Sequence, residues 1–224
     1  MGELKAMKVE KIMLKIYGHF LSMPSNKVRL CASYLGLPHE YVHVDLQSGE
    51  HMKPEYLAVN PLGCVPAIDD DGFALSQSDA ICKYLCALSG PSTFYPDDIH
   101  KQAKVNQWID FFSQHVQHAM SRLFFNRVIC KLLGEDADEA SIKTGENMLA
   151  RDLPVVEKVL SENAYICGSN FTLADIGLGA AIEPSEMAGV DLSLYPAILK
   201  WRERMMGRDF YQNVHARFAA EVAG

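Results

Sequence analysis

The chain has no CxxC pair and no His/Cys cluster at zinc-ligand spacing. Its six cysteines (Cys31, Cys64, Cys82, Cys86, Cys130 and Cys167) are scattered. That excludes a zinc ribbon or a disulfide scaffold and reads as free thiols in a reducing compartment. No run of 18 apolar residues appears, and the first residues lack an apolar signal region, so a cytoplasmic protein without a membrane partner is expected. Positive charge is in deficit: 21 Lys and Arg stand against 28 Asp and Glu, a net charge of −7. This argues against a nucleic-acid partner, but not against a small anionic ligand that feels only its local site. There is no internal repeat and no low-complexity segment. What the chain does have is 49% hydrophobic and 22% charged residues over 224 positions, enough for two small domains with buried cores.

Periodicity divides those positions unevenly. Ile12 to Tyr17 mixes β-branched and aromatic residues and predicts a strand. Pro24 to Leu35 has apolar residues at helical spacing and stops at Gly36. Tyr41, Val42, Val44 and Leu46 predict a second strand, and a short irregular helix follows around Met52 to Ala58. Val65 to Ile68 and Phe73 to Leu75 flank Asp69-Asp-Asp-Gly72, a hairpin with a turn glycine. Asp79 to Leu88 is again helical. The order β-α-β-α-β-β-α is a thioredoxin-like layout.

Gly90-Pro-Ser-Thr-Phe-Tyr-Pro96 is the densest cluster of breakers and predicts a linker. The spacing beyond it is helical almost throughout: one extended helix from Ile99 to about Leu133, and another from Glu139 to Ser161. Phe171-Thr-Leu-Ala-Asp175-Ile176 is a capping box with a hydrophobic staple, whose job is folding rather than chemistry. The fold class expected is therefore α/β plus all-α, a thioredoxin-like domain over residues 10–90 and an all-helical domain over 98–224.

Two motifs bear on chemistry. Pro66, at the head of an apolar run, suits a cis turn entering a strand whose first N–H and C=O are left free for a ligand. Gln77-Ser78-Asp79 opens a helix, where unpaired N–H groups favour a carboxylate. The other motif, Ser22-Met-Pro-Ser25, stands where a thioredoxin-like layout holds its redox dithiol, so thiol–disulfide exchange by the protein's own residues is excluded there. Ser22 is either a plain helix N-cap or a hydroxyl donating to a bound thiolate. A hydrogen bond to a charged group contributes about 1.5–3 kcal/mol and a helix N-terminus roughly 0.3–1 more. Together they lower a bound thiol's pKa from about 8.5 by roughly 1.3–3.

Tyr17-Gly-His-Phe-Leu-Ser22-Met-Pro-Ser-Asn-Lys-Val-Arg-Leu, Leu35-Gly-Leu-Pro, Asn60-Pro-Leu-Gly-Cys-Val-Pro66, Gln77-Ser78 and Phe171-Thr-Leu-Ala-Asp175 together resemble the cytosolic glutathione transferases. The resemblance is to their serine-type classes, theta, phi and bacterial relatives. It implies that Ser22 hydrogen-bonds the glutathione sulfur. By the same resemblance Val65, before cis-Pro66, pairs its backbone with the cysteinyl unit. Gln77 and Ser78 would hold the γ-glutamyl end, with Asp79 assisting its amine or favouring the helix dipole. His51 and Lys53 would meet the glycyl carboxylate or stand in a solvated loop. Gln77 is neutral where many relatives carry Glu. Cys64 is either oxidation-sensitive or packed and inert, and Met23 has no assignable role. Phe20, Phe112 and His115 are the candidates for an interdomain pocket, with core packing or a surface position as the bland readings.

The resemblance implies glutathione as co-substrate, a small hydrophobic electrophile, no metal and a homodimer. Isomerase, dehalogenase, peroxidase or disulfide-reductase chemistry by the same thiolate is an alternative, as is a non-catalytic scaffold.

Overall fold

The structure, a computed structural model, describes residues 14–222, with side chains through His215. Residues 10–13 and 223–224 of the expected domains, and the start of the expected first strand at Ile12, lie outside the described residues.

Strand β1 (Leu14–Gly18) feeds helix α1 (Met23–Tyr34), and β2 (His39–His43) returns parallel to β1. A 3₁₀ turn (Glu50–Met52) and the short α2 (Pro54–Leu57) lead to the hairpin of β3 (Ala67–Asp70) and β4 (Phe73–Ser76), and α3 (Ser78–Ser89) follows. The sheet order is β2-β1-β3-β4, with β3 antiparallel to both of its neighbours. The hairpin turns on Asp71 and Gly72, both at positive φ (52° and 87°), which matches the strand twist. Ile16 and Ile68, fully buried and paired across β1 and β3, put the apolar face of the sheet on the core. Helices α1 and α3 pack against each other.

Beyond the linker the described residues are helical apart from turns and one isolated bridge, Tyr165 to Gly168. The expected single helix over residues 99–133 is present as α4 (Ile99–Phe111), α5 (Gln117–Phe124) and α6 (Cys130–Leu133). These run on through π turns at Phe112–Val116 and Phe125–Ile129. Each π turn accommodates an extra residue and rotates the face that follows. Then come α7 (Glu139–Glu162), α8 (Leu173–Ile182), α9 (Pro196–Met206) and α10 (Asp209–Val222). Helix α8 is buried along its whole length. It packs against α4 and the first π turn, with Gly177 facing Phe112.

The sheet half and the helical half share one apolar core. Helix α1 packs on α8 and α10, and Tyr34, Phe94, Phe171 and Phe210 form an aromatic knot across the seam, with the Arg208 guanidinium 4.3 Å over the Phe171 ring. The capping box is there and does more than cap. Asp175 Oδ2 accepts from the Thr172 N–H and hydroxyl (2.9 and 3.1 Å), while Oδ1 accepts from the Ile166 N–H and the Trp201 indole (3.0 and 2.9 Å). Burial pushes the Asp175 carboxyl up, and these four donors pull it back down. Asp175→Ala strands at least two buried donors, each costing about 1–3 kcal/mol. Urea unfolding followed by circular dichroism is expected to show a loss of about 3 kcal/mol or more. A loss below about 1 kcal/mol would contradict the hub role.

Candidate active site

Strand register collects the site. Ala67, the first residue of β3, lies opposite Tyr17 of β1 and opposite Ser76 of β4. The loop from β1 to α1, the entry to β3 and the exit from β4 therefore emerge at one end of the sheet. His43, opposite Gly18, brings the end of β2 to the same place.

Ser22 caps α1: its hydroxyl oxygen accepts the Ser25 N–H at 3.3 Å, and Pro24 stands in the first turn. The cap uses an oxygen lone pair and leaves the O–H proton to donate. Ser22 is half-buried at the mouth of its helix. Gly18 before it is tightly enclosed, since a Cβ would stand 2.9 Å from Ser25 Cβ. His19 accepts the Leu21 N–H on Nδ1 (3.2 Å), and its ring stacks on Phe20 (4.5 Å between centroids).

The Val65–Pro66 peptide is cis, as its position at the head of a strand suggested. Among the described residues neither the N–H nor the C=O of Val65 has a backbone partner. The carbonyl of Cys64 just before it is pinned twice, by the Tyr56 hydroxyl and by Asn60 Nδ2, both at 2.6 Å. Burial pushes the Tyr56 phenol up to about 12, which keeps it a donor. The Asn60 side chain also accepts the Leu62 N–H at 3.2 Å, an Asx turn written into Asn60-Pro-Leu-Gly. Gly63, at φ 59°, closes this turn onto the 3₁₀ turn: a Cβ there would lie 2.8 Å from Met52 Sδ and 3.2 Å from the His51 carbonyl. His51 and Lys53 are thereby held beside the entry to β3. His51 Nδ1 is buried with no partner among the described residues, whereas Lys53 is exposed and 3.8 Å from Glu50 Oε1. The Cys64 thiol is exposed rather than packed, 3.3 Å from the Leu62 carbonyl.

Gln77 occupies the N-cap of α3 at φ 74°, a left-handed conformation that costs a non-glycine residue energy and clusters at functional sites. No side chain caps α3 among the described residues, so its first N–H groups remain available to an anion. Asp79 turns away from that end. Its carboxylate takes Lys27 Nζ at 2.8 Å and the Ser113 hydroxyl at 2.6 Å, and Lys27 Nζ also donates to Ser113 at 2.9 Å. Lys27 is only 2% exposed. This triangle ties α1, α3 and the first π turn together, and the apolar run around Lys27 gave no sign of it.

The three pocket candidates do not meet. Phe20 lines a cavity of about 240 Å³ between the α1 mouth and the helical half, together with Leu21, Met23, Phe124 and Met187. Met23 thus acquires a place, in the floor of that cavity. Phe112 is fully buried, stacked on Trp108 in the helical core. His115 is on the outer surface, stacked on Phe111, with Nδ1 3.8 Å from Asp152 Oδ2. The grouping rested on the loop after the first strand facing the long helix; within the π turn Phe112–Val116, Phe112 is turned to the core and His115 is not. The cavity is also lined by the polar Asn26, Glu183, Tyr211 and His215, and these were missed because each is unremarkable in its own stretch of sequence.

Residues 22–88 match the family described as Glutathione S-transferase, N-terminal domain, and residues 114–209 that described as Glutathione S-transferase, C-terminal domain. The chain is 30% identical over 209 residues to a probable glutathione S-transferase GSTF2 of Oryza sativa subsp. japonica, covering 90% of this chain and 95% of that one. It is 29% identical over 208 residues to glutathione S-transferase theta-2 of Rattus norvegicus, covering 90% and 85%. Among solved structures it is similar to glutathione transferase F2 from Populus trichocarpa (TM-score 0.85, 26% identity, 92% and 99% covered). It is also similar to a glutathione S-transferase-I bound with lactoylglutathione (TM-score 0.83, 27% identity, 91% and 99% covered).

His19 offers a test of the site's electrostatics. Burial, then the neighbouring His43, hold its imidazole below the usual 6.5, with Asp45 opposing. The folded value lies below the unfolded one, so its contribution to stability is fully present above about pH 6.5 and is lost as pH falls through the folded value. Urea midpoints between pH 7.5 and 5.5 are expected to fall more steeply for the wild type than for His19→Gln. Parallel profiles would contradict this.

Proposed function

This chain belongs to the glutathione S-transferase superfamily, and from that membership we propose that it transfers the thiolate of glutathione to small electrophiles, with Ser22 holding the sulfur. The observation that carries the assignment of roles is the convergence of Ser22, the unpaired backbone of Val65 and the uncapped start of α3 at one end of the sheet.

Each group fits one part of the tripeptide. The N–H and C=O of Val65 suit the two backbone bonds of an added strand, here the cysteinyl unit. Ser78 and the first N–H groups of α3 suit the γ-glutamyl carboxylate, with the strained Gln77 placing its amide beside it. The buried Nδ1 of His51, without a partner among the described residues, suits the glycyl carboxylate when it carries a proton, with Lys53 adding charge from the exposed side. Asp79 is already engaged with Lys27 and Ser113, and its part is to hold α3 in place.

Glutathione supplies the nucleophilic sulfur when it is bound. The protein supplies the Ser22 O–H, which stabilises the thiolate over the thiol, and a cavity beside it that excludes water from the electrophile. Phe20, Leu21 and Met23 present its apolar side. The alternative chemistries of the same thiolate differ only in what enters that cavity.

The domain division falls in residues 91–97, with the thioredoxin-like domain at 10–90 and the helical domain at 98–224. The role is detoxification in the cytoplasm, and the working form is a two-fold homodimer.

Ser22→Ala is expected to bind glutathione within about threefold of the wild type. At pH 7 kcat/KM should fall about tenfold or more, the equivalent of one hydrogen bond to a charged group, with partial recovery at pH 9. Unchanged turnover would sink the role of Ser22, and no heat of glutathione binding at millimolar concentration would favour a scaffold. Sedimentation is expected to give twice the 25.0 kDa chain mass, and a species of one chain mass would contradict the homodimer.

A further inference from the structure

The loop that carries Ser22 is closed by short-range hydrogen bonds. The Ser22 N–H donates to the His19 carbonyl at 3.0 Å, the Leu21 N–H to His19 Nδ1 at 3.2 Å, and the His19 N–H to Ser25 Oγ at 3.3 Å. A further bond comes from α1. Asn26, whose N–H already holds the Ser22 carbonyl at 2.9 Å, sends Nδ2 to the Phe20 carbonyl, also at 2.9 Å. The same nitrogen donates to Glu183 Oε2 at 3.1 Å, across 157 positions of chain. Asn26 is only 7% exposed.

Both partners of that nitrogen are acceptors, a carbonyl and a carboxylate, so the orientation of the amide is fixed and both of its N–H groups are engaged. Asn26 Oδ1 is buried without a partner among the described residues, so the side chain acts through its nitrogen. Glu183 opens the 3₁₀ turn after α8, and its Oε1 lies 2.7 Å from His215 Nε2 of α10. The amide fork therefore ties the backbone two residues before Ser22 to the helical half. A hydrogen bond from a hydroxyl to a thiolate is strong only while its distance and angle are kept, and it weakens steeply as they drift.

We propose that Asn26 is a positioning residue for the thiolate: its fork to the Phe20 carbonyl and Glu183 holds the loop at residues 19–22 so that the Ser22 O–H keeps its aim at the glutathione sulfur. The proposal rests on the transferase reading above. The effect passes through Ser22 and needs no electrophile in the cavity. His19, His43 and Asp45 stand at the sheet end of this loop, and Glu183, Tyr211 and His215 on the helical side. Asparagine and alanine are both uncharged, so Asn26→Ala adds or removes no charge among these groups. A change in how readily the bound thiol ionises then reports the aim of Ser22.

The test titrates the ultraviolet absorbance of the bound thiolate against pH, with saturating glutathione and no electrophile. In Asn26→Ala the ionisation constant of the bound thiol is expected to fall about tenfold, a pKa rise of about one. Glutathione affinity should stay within about threefold, since Val65 and the start of α3 hold the peptide. In a Ser22→Ala background the same substitution should change the ionisation constant by less than about twofold, because the bond it positions is already gone. A change below about twofold with Ser22 present, or an equal change in both backgrounds, would overturn the proposal. If Asn26→Ala does not fold, Glu183→Ala is compared with Glu183→Gln. Both lose the charge, and only Gln keeps an acceptor for the fork. The bound thiol should then ionise about threefold less readily in the Ala variant, and equal ionisation would overturn the proposal. These outcomes leave the transferase reading standing, whereas a wild type that binds no glutathione by calorimetry overturns both.

Discussion

The register of β3 between β1 and β4 is the constraint on which the site depends. Ala67 faces Tyr17 on one side and Ser76 on the other, and a slip of one residue would carry Ile68 from the core to the opposite face. With Ile16 and Ile68 fully buried, that slip is expensive, so the register is held by the hydrophobic effect as well as by hydrogen bonds. Three segments at residues 22, 65 and 77 are thereby delivered to one end of the sheet by strand pairing. The site is a by-product of a packed sheet, which is why it can consist so largely of backbone.

Helix α1 is the second support. Its N-terminus holds Ser22, its first turns send Asn26 to Glu183 and Lys27 to Asp79 and Ser113, and its far end gives Ser33 to the Phe210 carbonyl at 3.0 Å. One helix therefore reaches both halves of the molecule and α3. The buried Lys27 ammonium makes that reach specific, because losing either oxygen partner would leave a desolvated charge. The Ser22 hydroxyl and the cavity lined by Phe20, Leu21 and Met23 are in this way tied to the same element.

Local patterns in the sequence disclosed most of the elements because each is local physics. Gly36, Gly72, the capping box at Thr172 and Asp175, and the breakers after Ser89 end or begin elements wherever they stand. The long helix over residues 99–133 was readable in extent, but its two π turns were not, since a π turn reflects how neighbouring helices pack. Nor was it readable that Phe112 faces the core and His115 the surface, which depends on the same packing. The Asx turn at Asn60 was readable in principle from its side chain and the Pro after it. Lys27 was not: a lysine in a helix is ordinarily solvated, and its burial depends on Asp79 and Ser113, 52 and 86 residues away.

The sequence by itself determined the order of elements, the cis-Pro66 entry, the serine at the mouth of α1 and the open helix start after Gln77. All are short-range consequences of residue type. Only the tertiary structure decided that Asp79 serves α1 rather than a ligand, that His51 is held over the β3 entry by the Gly63 turn, and that Asn26, Glu183, His215 and Tyr211 share a cavity wall. Those relations join residues as much as 189 positions apart in the chain. No local preference encodes such distances; they arise when separate apolar faces are buried against one another and bring their polar neighbours with them.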